Sequence, residues 1–260
     1  MVRLKNRNDI AGIYRSGQIA GALLLELKEH IQPGTRGAEI NTFAGDFIRS
    51  HDAVPAFLGY RGFPGNVCFS INAEIVHGIP RDQVLKDGDI VTVDVGVILD
   101  NYFSDTAYTY VVGMQTPDSD MQRLLLGTEN SLYRGIEALE SGKPMRIASR
   151  AVELELRLHG LGVIRELTGH GVGFELHEEP TFYNFDPGNR RPLVENGLVI
   201  AIEPMATLGS ERILLAGDDW TYLTMDGSLA AHFEHTVAVW EDRTYILTQV
   251  GNEEAAQAFG

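Results

Sequence analysis

Two apolar runs joined by a two-residue turn constrain this chain more than any other stretch: Asp89 to Ile98 runs outward, Asp100-Asn101 turns, and Tyr102 to Val112 returns. A two-residue loop there makes an antiparallel hairpin whose paired positions sum to an odd number, so Asp94 and Asp105 become diagonal neighbours on one face. Val91, Val93, Val95 and Val97 take the opposite face. Two carboxylates so close repel unless a proton, an Arg or Lys, or a cation lies between them. A metal ion is the sharpest of these options; a salt bridge or shared proton is the ordinary one.

Composition narrows the choice of function. The 260-residue chain is 44% hydrophobic and 22% charged, ordinary values for a globular protein with a substantial core. A formal charge of −15 argues against nucleic acid as the main partner. The lone cysteine, Cys68, excludes an internal disulfide framework and a multi-cysteine zinc site, which fits a reducing compartment. The N-terminal stretch lacks the apolar core of a signal peptide, and no apolar run approaches a membrane span, so a cytoplasmic location is expected.

The chain reads as helix, helix, strands, and then the same again. Asp9 is the candidate N-cap of a first helix carrying Ile10, Ile13, Leu23, Leu24 and Leu27 to a Pro33-Gly34 stop, and a second helix covers Ala38 to His51. Helical patterns recur from Asp118 to Leu139 and from Ile147 to His159. Strands are expected at 67–71, 197–205, 220–224 and 229–240, and the Ala- and Glu-rich tail from Gly251 is expected to fray. The sum is an α+β chain, mostly antiparallel sheet with helices on one side, in a single domain of 1–260 whose related halves lie at about 8–113 and 118–250.

Further chemistry-bearing residues fall on these strands. Glu203 points away from the apolar face set by Ile200 and Ile202, and Glu234 shares a face with His232 and Thr236. His170 lies in Gly169-His170-Gly171, where small flanking residues allow close backbone approach to a ligand. His177 precedes Glu178-Glu179-Pro180, and His77 precedes Gly78-Ile79-Pro80. Four carboxylates with an imidazole suit two divalent ions, of Mn, Fe, Co or Zn, and hydrolysis.

The motifs Tyr60-Arg61-Gly62-Phe63-Pro64, Cys68-Phe69-Ser70-Ile71-Asn72, His77-Gly78-Ile79-Pro80, Asp105-Thr106, Gly169-His170-Gly171, His177-Glu178-Glu179-Pro180, Ile202-Glu203-Pro204-Met205 and Glu234-His235-Thr236 occur in an order that resembles type I methionine aminopeptidase, in its short bacterial form. The resemblance runs from the first helix to the last strand. It implies the pita-bread fold, with pseudo-symmetric halves around a dinuclear site, and removal of the initiator Met from chains with a small second residue. It further implies that Asp94, Asp105 and Glu234 hold one metal while Asp105, His170, Glu203 and Glu234 hold the other. Glu203 would shuttle the proton, His177 would stabilise the oxyanion, and His77 would hydrogen-bond the scissile amide or departing amine. Tyr60, Phe63, Cys68 and Trp220 match positions lining the methionine pocket. Two positions depart from the family pattern: Leu176 replaces an aromatic, and His232 replaces a Gln.

The alternatives are an Xaa-Pro aminopeptidase or prolidase, a non-catalytic homologue that binds a protein partner, and a dinuclear phosphoesterase. Proline-specific relatives usually carry an extra N-terminal domain, a binding homologue should have lost ligands, and a phosphoesterase should show a phosphate loop. The resemblance implies nascent polypeptide N-termini as partners. With its acidic surface, the chain is expected to associate only transiently with ribosomes, and to be a monomer.

Overall fold

A computed structural model describes residues 2–113 and 118–260. Its helices are α1 (Arg7–His30), α2 (Gly37–Ser50), α3 (Ser119–Glu137), α4 (Arg146–Leu158) and α5 (Glu253–Phe259). The first four match the helical periodicity of the sequence to within a few residues. The N-cap of α1 is Asn6, not Asp9: the Asn6 side chain accepts the Asn8 and Asp9 amides, and Asp9 accepts the Asn6 amide in return. This reciprocal pair fills the donors a helix start leaves open.

The hairpin pairs Ile90–Leu99 with Tyr102–Val111 in the expected register, Asp94 opposite Ala107 and Asp105 opposite Gly96. Asp100 and Asn101 both have positive φ, as the tight turn requires. The hairpin is the middle of a nine-stranded antiparallel sheet, in which Tyr102–Val111 meets Glu234–Trp240, followed by Val199–Ile202, Gly169–Gly171 and Glu178–Phe182. Helices cover one face. Val91, Val93, Val95 and Val97 pack with α1 and α2, while Ile200, Ile202, Val237 and Val239 pack with α3 and α4. The alternation of each strand therefore sends its polar residues to the uncovered face.

Two expected strands are broken, and both breaks lie beside acidic residues. The stretch 197–205 divides into Val199–Ile202 and Met205–Thr207, because Pro204 has no amide for the ladder. The stretch 229–240 divides at Phe233, whose amide donates to the Pro204 carbonyl. Ala230–His232 leaves the large sheet and pairs with Met205–Thr207 in a three-stranded one. The tail does not fray: Ala255 and Phe259 are buried, the latter edge-on to Tyr245 at 5.1 Å. One apolar face at helical spacing was enough to fix a short segment.

Candidate metal and active site

Asp94, Asp105, His170, Glu203 and Glu234 come together on the uncovered face of the sheet, from four strands and the break after Val199–Ile202. Donor atoms of Asp105, His170 and Glu234 all lie within 4.8 Å of one another. His170 Nε2 is 3.8 Å from Asp105 Oδ2 and 3.5 Å from Glu203 Oε1. Asp94 and Asp105 contact each other directly, and Cys68 stands opposite Asp94 on the neighbouring strand.

The backbone beneath these groups is tightly fixed. Thr106 Oγ1 donates to the Glu234 carbonyl at 2.7 Å, at the point where the hairpin joins Glu234–Trp240. His170 Nδ1 lies 3.0 Å from the Gly171 carbonyl, so Nδ1 carries the proton and Nε2 presents a lone pair to the carboxylates. The flanking glycines serve the strands rather than a ligand. A Cβ on Gly169 would sit 2.4 Å from the Ala201 carbonyl oxygen, and one on Gly171 2.4 Å from that of Glu179. The expected approach to a ligand is thus an approach of three backbones.

Burial sets the electrostatics. It pushes Asp94 up to about 7 and raises Asp105, Glu203 and Glu234 well above the ordinary carboxylate range, with mutual repulsion adding to the shift in the last three. It lowers His170 to about 4. Among the described residues no Arg or Lys pairs with any of the four carboxylates; the basic side chains within ion-pair distance of them are the imidazoles of His170 and His232. Of the three ways to hold Asp94 beside Asp105, the basic side chain is therefore out, leaving a proton or a cation. Asp94 Oδ1, Asp105 Oδ1 and Glu234 Oε1 are buried without a hydrogen-bond partner. Oxygen donors left unpaired around a neutral imidazole are what a divalent ion takes up, so the residues fit a metal centre.

Above this floor stands an apolar chamber of about 190 Å³. Tyr60, Phe63, Cys68, His77, His177 and Trp220 line it together with the five acidic and imidazole groups, so every site residue singled out in the sequence faces one cavity. Phe63 meets Trp220 edge-on at 5.2 Å, and Tyr60 stacks on His177 with its hydroxyl 3.0 Å from Nδ1. Burial, then His170, His77 and Arg61, hold His177 at about 3, and burial lowers His77. His77 has a φ of 59°, a left-handed conformation costly for a side chain of its size, and Gly78 beside it has no room for a Cβ against Phe69.

Sequence reasoning missed Phe57, Leu167 and Thr168, which also line the chamber. They lie in irregular segments without periodicity, and nothing in their neighbourhood signals them. Leu176, which departs from the family pattern, is buried in the apolar wall with Phe57, Phe63 and Cys68. His232 lies beneath the carboxylates, buried, with Nε2 3.7 Å from Glu203 Oε2.

Comparison with known proteins agrees with this geometry. Residues 11–241 match the model of metallopeptidase family M24. The methionine aminopeptidase of Borreliella burgdorferi is 44% identical over 96% of this chain and 99% of its own length, and methionine aminopeptidase 1 of Bacillus subtilis is 41% identical over 96% and 100%. The crystal structure of methionine aminopeptidase from Rickettsia prowazekii superposes with a TM-score of 0.92 at 35% identity, over 95% of this chain and all of that one. The prolidase of Pyrococcus furiosus shares the fold alone, with a TM-score of 0.78 at 23% identity, and this chain spans 65% of it. The pita-bread fold is thereby established, and the chain belongs to metallopeptidase family M24, among its methionine aminopeptidases.

Proposed function

We propose that this protein removes the initiator methionine from peptides and nascent chains with a small second residue, by hydrolysing the first peptide bond. The observation that carries this reading is the juxtaposition of an aromatic and thiol-lined chamber with a floor of unpaired carboxylates. The chamber suits an unbranched thioether, which packs well against aromatic edges and a soft sulfur. The floor suits hydrolysis.

Two divalent ions, of Co, Mn, Fe or Zn, would be held by Asp94, Asp105 and Glu234 and by Asp105, His170, Glu203 and Glu234, and would polarise the scissile carbonyl and acidify a water. Glu203, whose affinity for a proton is raised by burial, takes the proton from the attacking water and returns it to the leaving amine. His177 is neutral, and with Tyr60 hydroxyl donating to Nδ1 its Nε2–H is free to donate to the carbonyl oxygen as charge develops there. His77 is also neutral and faces the chamber, where it hydrogen-bonds the scissile amide or the amine. Phe63, Cys68 and Trp220 exclude water from the side chain being recognised.

The proposed partners are the N-termini of nascent polypeptides. A −15 chain gains nothing from long-range attraction to ribosomal RNA, so its contact with ribosomes is transient. Tight, salt-sensitive co-sedimentation with ribosomes would contradict this. The activity is tested by methionine release from Met-Ala-Ser against alanine release from Ala-Pro-Ser, with metal-stripped protein reconstituted with Mn, Fe, Co or Zn in turn. Metal-dependent release from the Met peptide alone is expected. Release from the Ala-Pro peptide instead would move the protein to the proline-specific branch, and no release with any metal would favour a binding homologue.

A further inference from the structure

We propose that His232 is an additional donor to the metal centre, so that the centre holds two imidazoles, His170 and His232. The inference rests on the metallopeptidase reading above but concerns a residue outside the ligand set that reading assigns. His232 ends the short strand that leaves the large sheet at Phe233, and this break turns the residue toward the acidic cluster. Its backbone is pinned there: the His232 amide donates to Thr109 Oγ1 at 3.0 Å, and Thr109 Oγ1 donates to the His232 carbonyl at 2.7 Å.

The ring stands in the same relation to the carboxylates as His170 does. His232 Nε2 is 3.7 Å from Glu203 Oε2 and 3.8 Å from Glu234 Oε2; His170 Nε2 is 3.5 Å from Glu203 Oε1 and 3.8 Å from Asp105 Oδ2. Glu203 thus lies between two imidazoles, one facing each oxygen. All these separations are too long for hydrogen bonds. They lie at or just beyond the ~3.3–3.6 Å that separates tetrahedral ligands held ~2.0–2.2 Å from one ion, so an ion among these donors would draw them in by only a few tenths of an ångström.

A packing role does not account for the residue. The side chain is 2% exposed, and both ring nitrogens are buried without a hydrogen-bond partner. A buried imidazole with two idle nitrogens is costly where an apolar side chain would serve. A Gln, which the resembled pattern has at this position, would offer no ring nitrogen to a metal.

The test uses the full-length protein loaded with Co(II). Each coordinated imidazole gives one strongly shifted, solvent-exchangeable N–H signal in the proton spectrum of a paramagnetic cobalt site. Two such signals are expected in the wild type and one in His232→Gln, together with at least a tenfold loss of Co(II) affinity in competition with a chelator. Should His232→Gln fail to fold, the wild-type count decides alone. One shifted signal in the wild type, or two in both proteins, overturns the role of His232 while leaving the metal centre intact. Failure of the wild type to bind Co(II) overturns both readings.

Discussion

Thr236 Oγ1 accepts the Asp105 amide at 2.9 Å and donates to the Asp105 carbonyl at 2.7 Å. One hydroxyl thereby satisfies both backbone groups of an acidic residue at the seam between the hairpin and Glu234–Trp240. Thr106 does the corresponding service for the Glu234 carbonyl from the other strand. The two strands pair directly only at Glu234–Ala107 and His235–Thr106, so threonine side chains carry the seam where the ladder is short.

Replacing Thr236 with Val should therefore leave a buried amide and carbonyl without partners. The expected cost is about 1–3 kcal/mol of stability, read from the urea midpoint. Thr236→Ser should recover most of it. Metal affinity should fall in Thr236→Val and not in Thr236→Ser, because the hydroxyl sets where Asp105 points; equal affinity in all three proteins would show that Asp105 is held by other means.

Lys5 and Glu178 form a buried ion pair at 2.7 Å, each side chain 1% exposed. Glu178 also accepts the amides of Phe174 and Glu175, so the pair ties the N-terminal arm to the loop that carries His177. Burial lowers the Lys5 ammonium's affinity for its proton, and Glu178 works against that. Removing one partner of a buried pair leaves a lone charge, at a cost of about 3–5 kcal/mol. Lys5→Met should show that loss in urea denaturation. Lys5→Met with Glu178→Gln should regain most of it, since Gln keeps an acceptor for the two amides and carries no charge. No recovery in the double variant would locate the cost in packing of the lysine stem.

The helices and the hairpin were legible because their signals are local and periodic: Ile10, Ile13 and Leu24 mark one face of α1, and the alternating valines mark the buried face of the hairpin. Most of what sequence could not place depended on partners remote in the chain; the cap of α1 is a local exception. Asp9 looks like an N-cap until Asn6 is seen to accept its amide. The glycines around His170 look like room for a ligand until the Ala201 and Glu179 carbonyls are seen to fill the space. Phe57 carries no periodic signal and reaches the chamber through an irregular segment. Stretches such as 229–240 read as unbroken strands, since nothing at Phe233 announces the break at which its amide turns to the Pro204 carbonyl, in the gap between two other strands.

Asp218 fixes the chamber wall at Trp220. It accepts the Trp220 and Thr221 amides at 2.9 and 2.8 Å and the Thr221 hydroxyl at 2.7 Å, and it pairs with Arg81. Burial works to raise its affinity for a proton, but these donors prevail and hold it well below the ordinary aspartate value of 3.8. A carboxylate so depressed contributes stability that is present above its unfolded value and is lost as pH falls through its folded one. Asp218→Asn should therefore be less stable than the wild type by a constant amount, about 1–3 kcal/mol, from pH 8 to about pH 5. The gap should narrow below about pH 4. A gap unchanged down to pH 3 would mean that the hydrogen-bond geometry, and not the charge, is what Asn fails to reproduce.

Metal removal offers the broadest check on the acidic floor. Four buried carboxylates without a basic partner repel one another, and an ion bound to the folded state alone adds RT ln(1 + [L]/Kd), or about 2.7 kcal/mol at a hundredfold excess over Kd. Stripping the protein with a chelator should lower Tm, and adding back Mn, Co or Zn should raise it with a dependence on metal concentration. Glu234→Ala removes a donor common to both proposed positions, so its Tm should no longer respond to metal. Asp46→Ala, on an exposed face of α2, should respond as the wild type does. Were Glu234→Ala to retain the full response, the stabilising ion would lie elsewhere than among Asp94, Asp105, His170, Glu203 and Glu234.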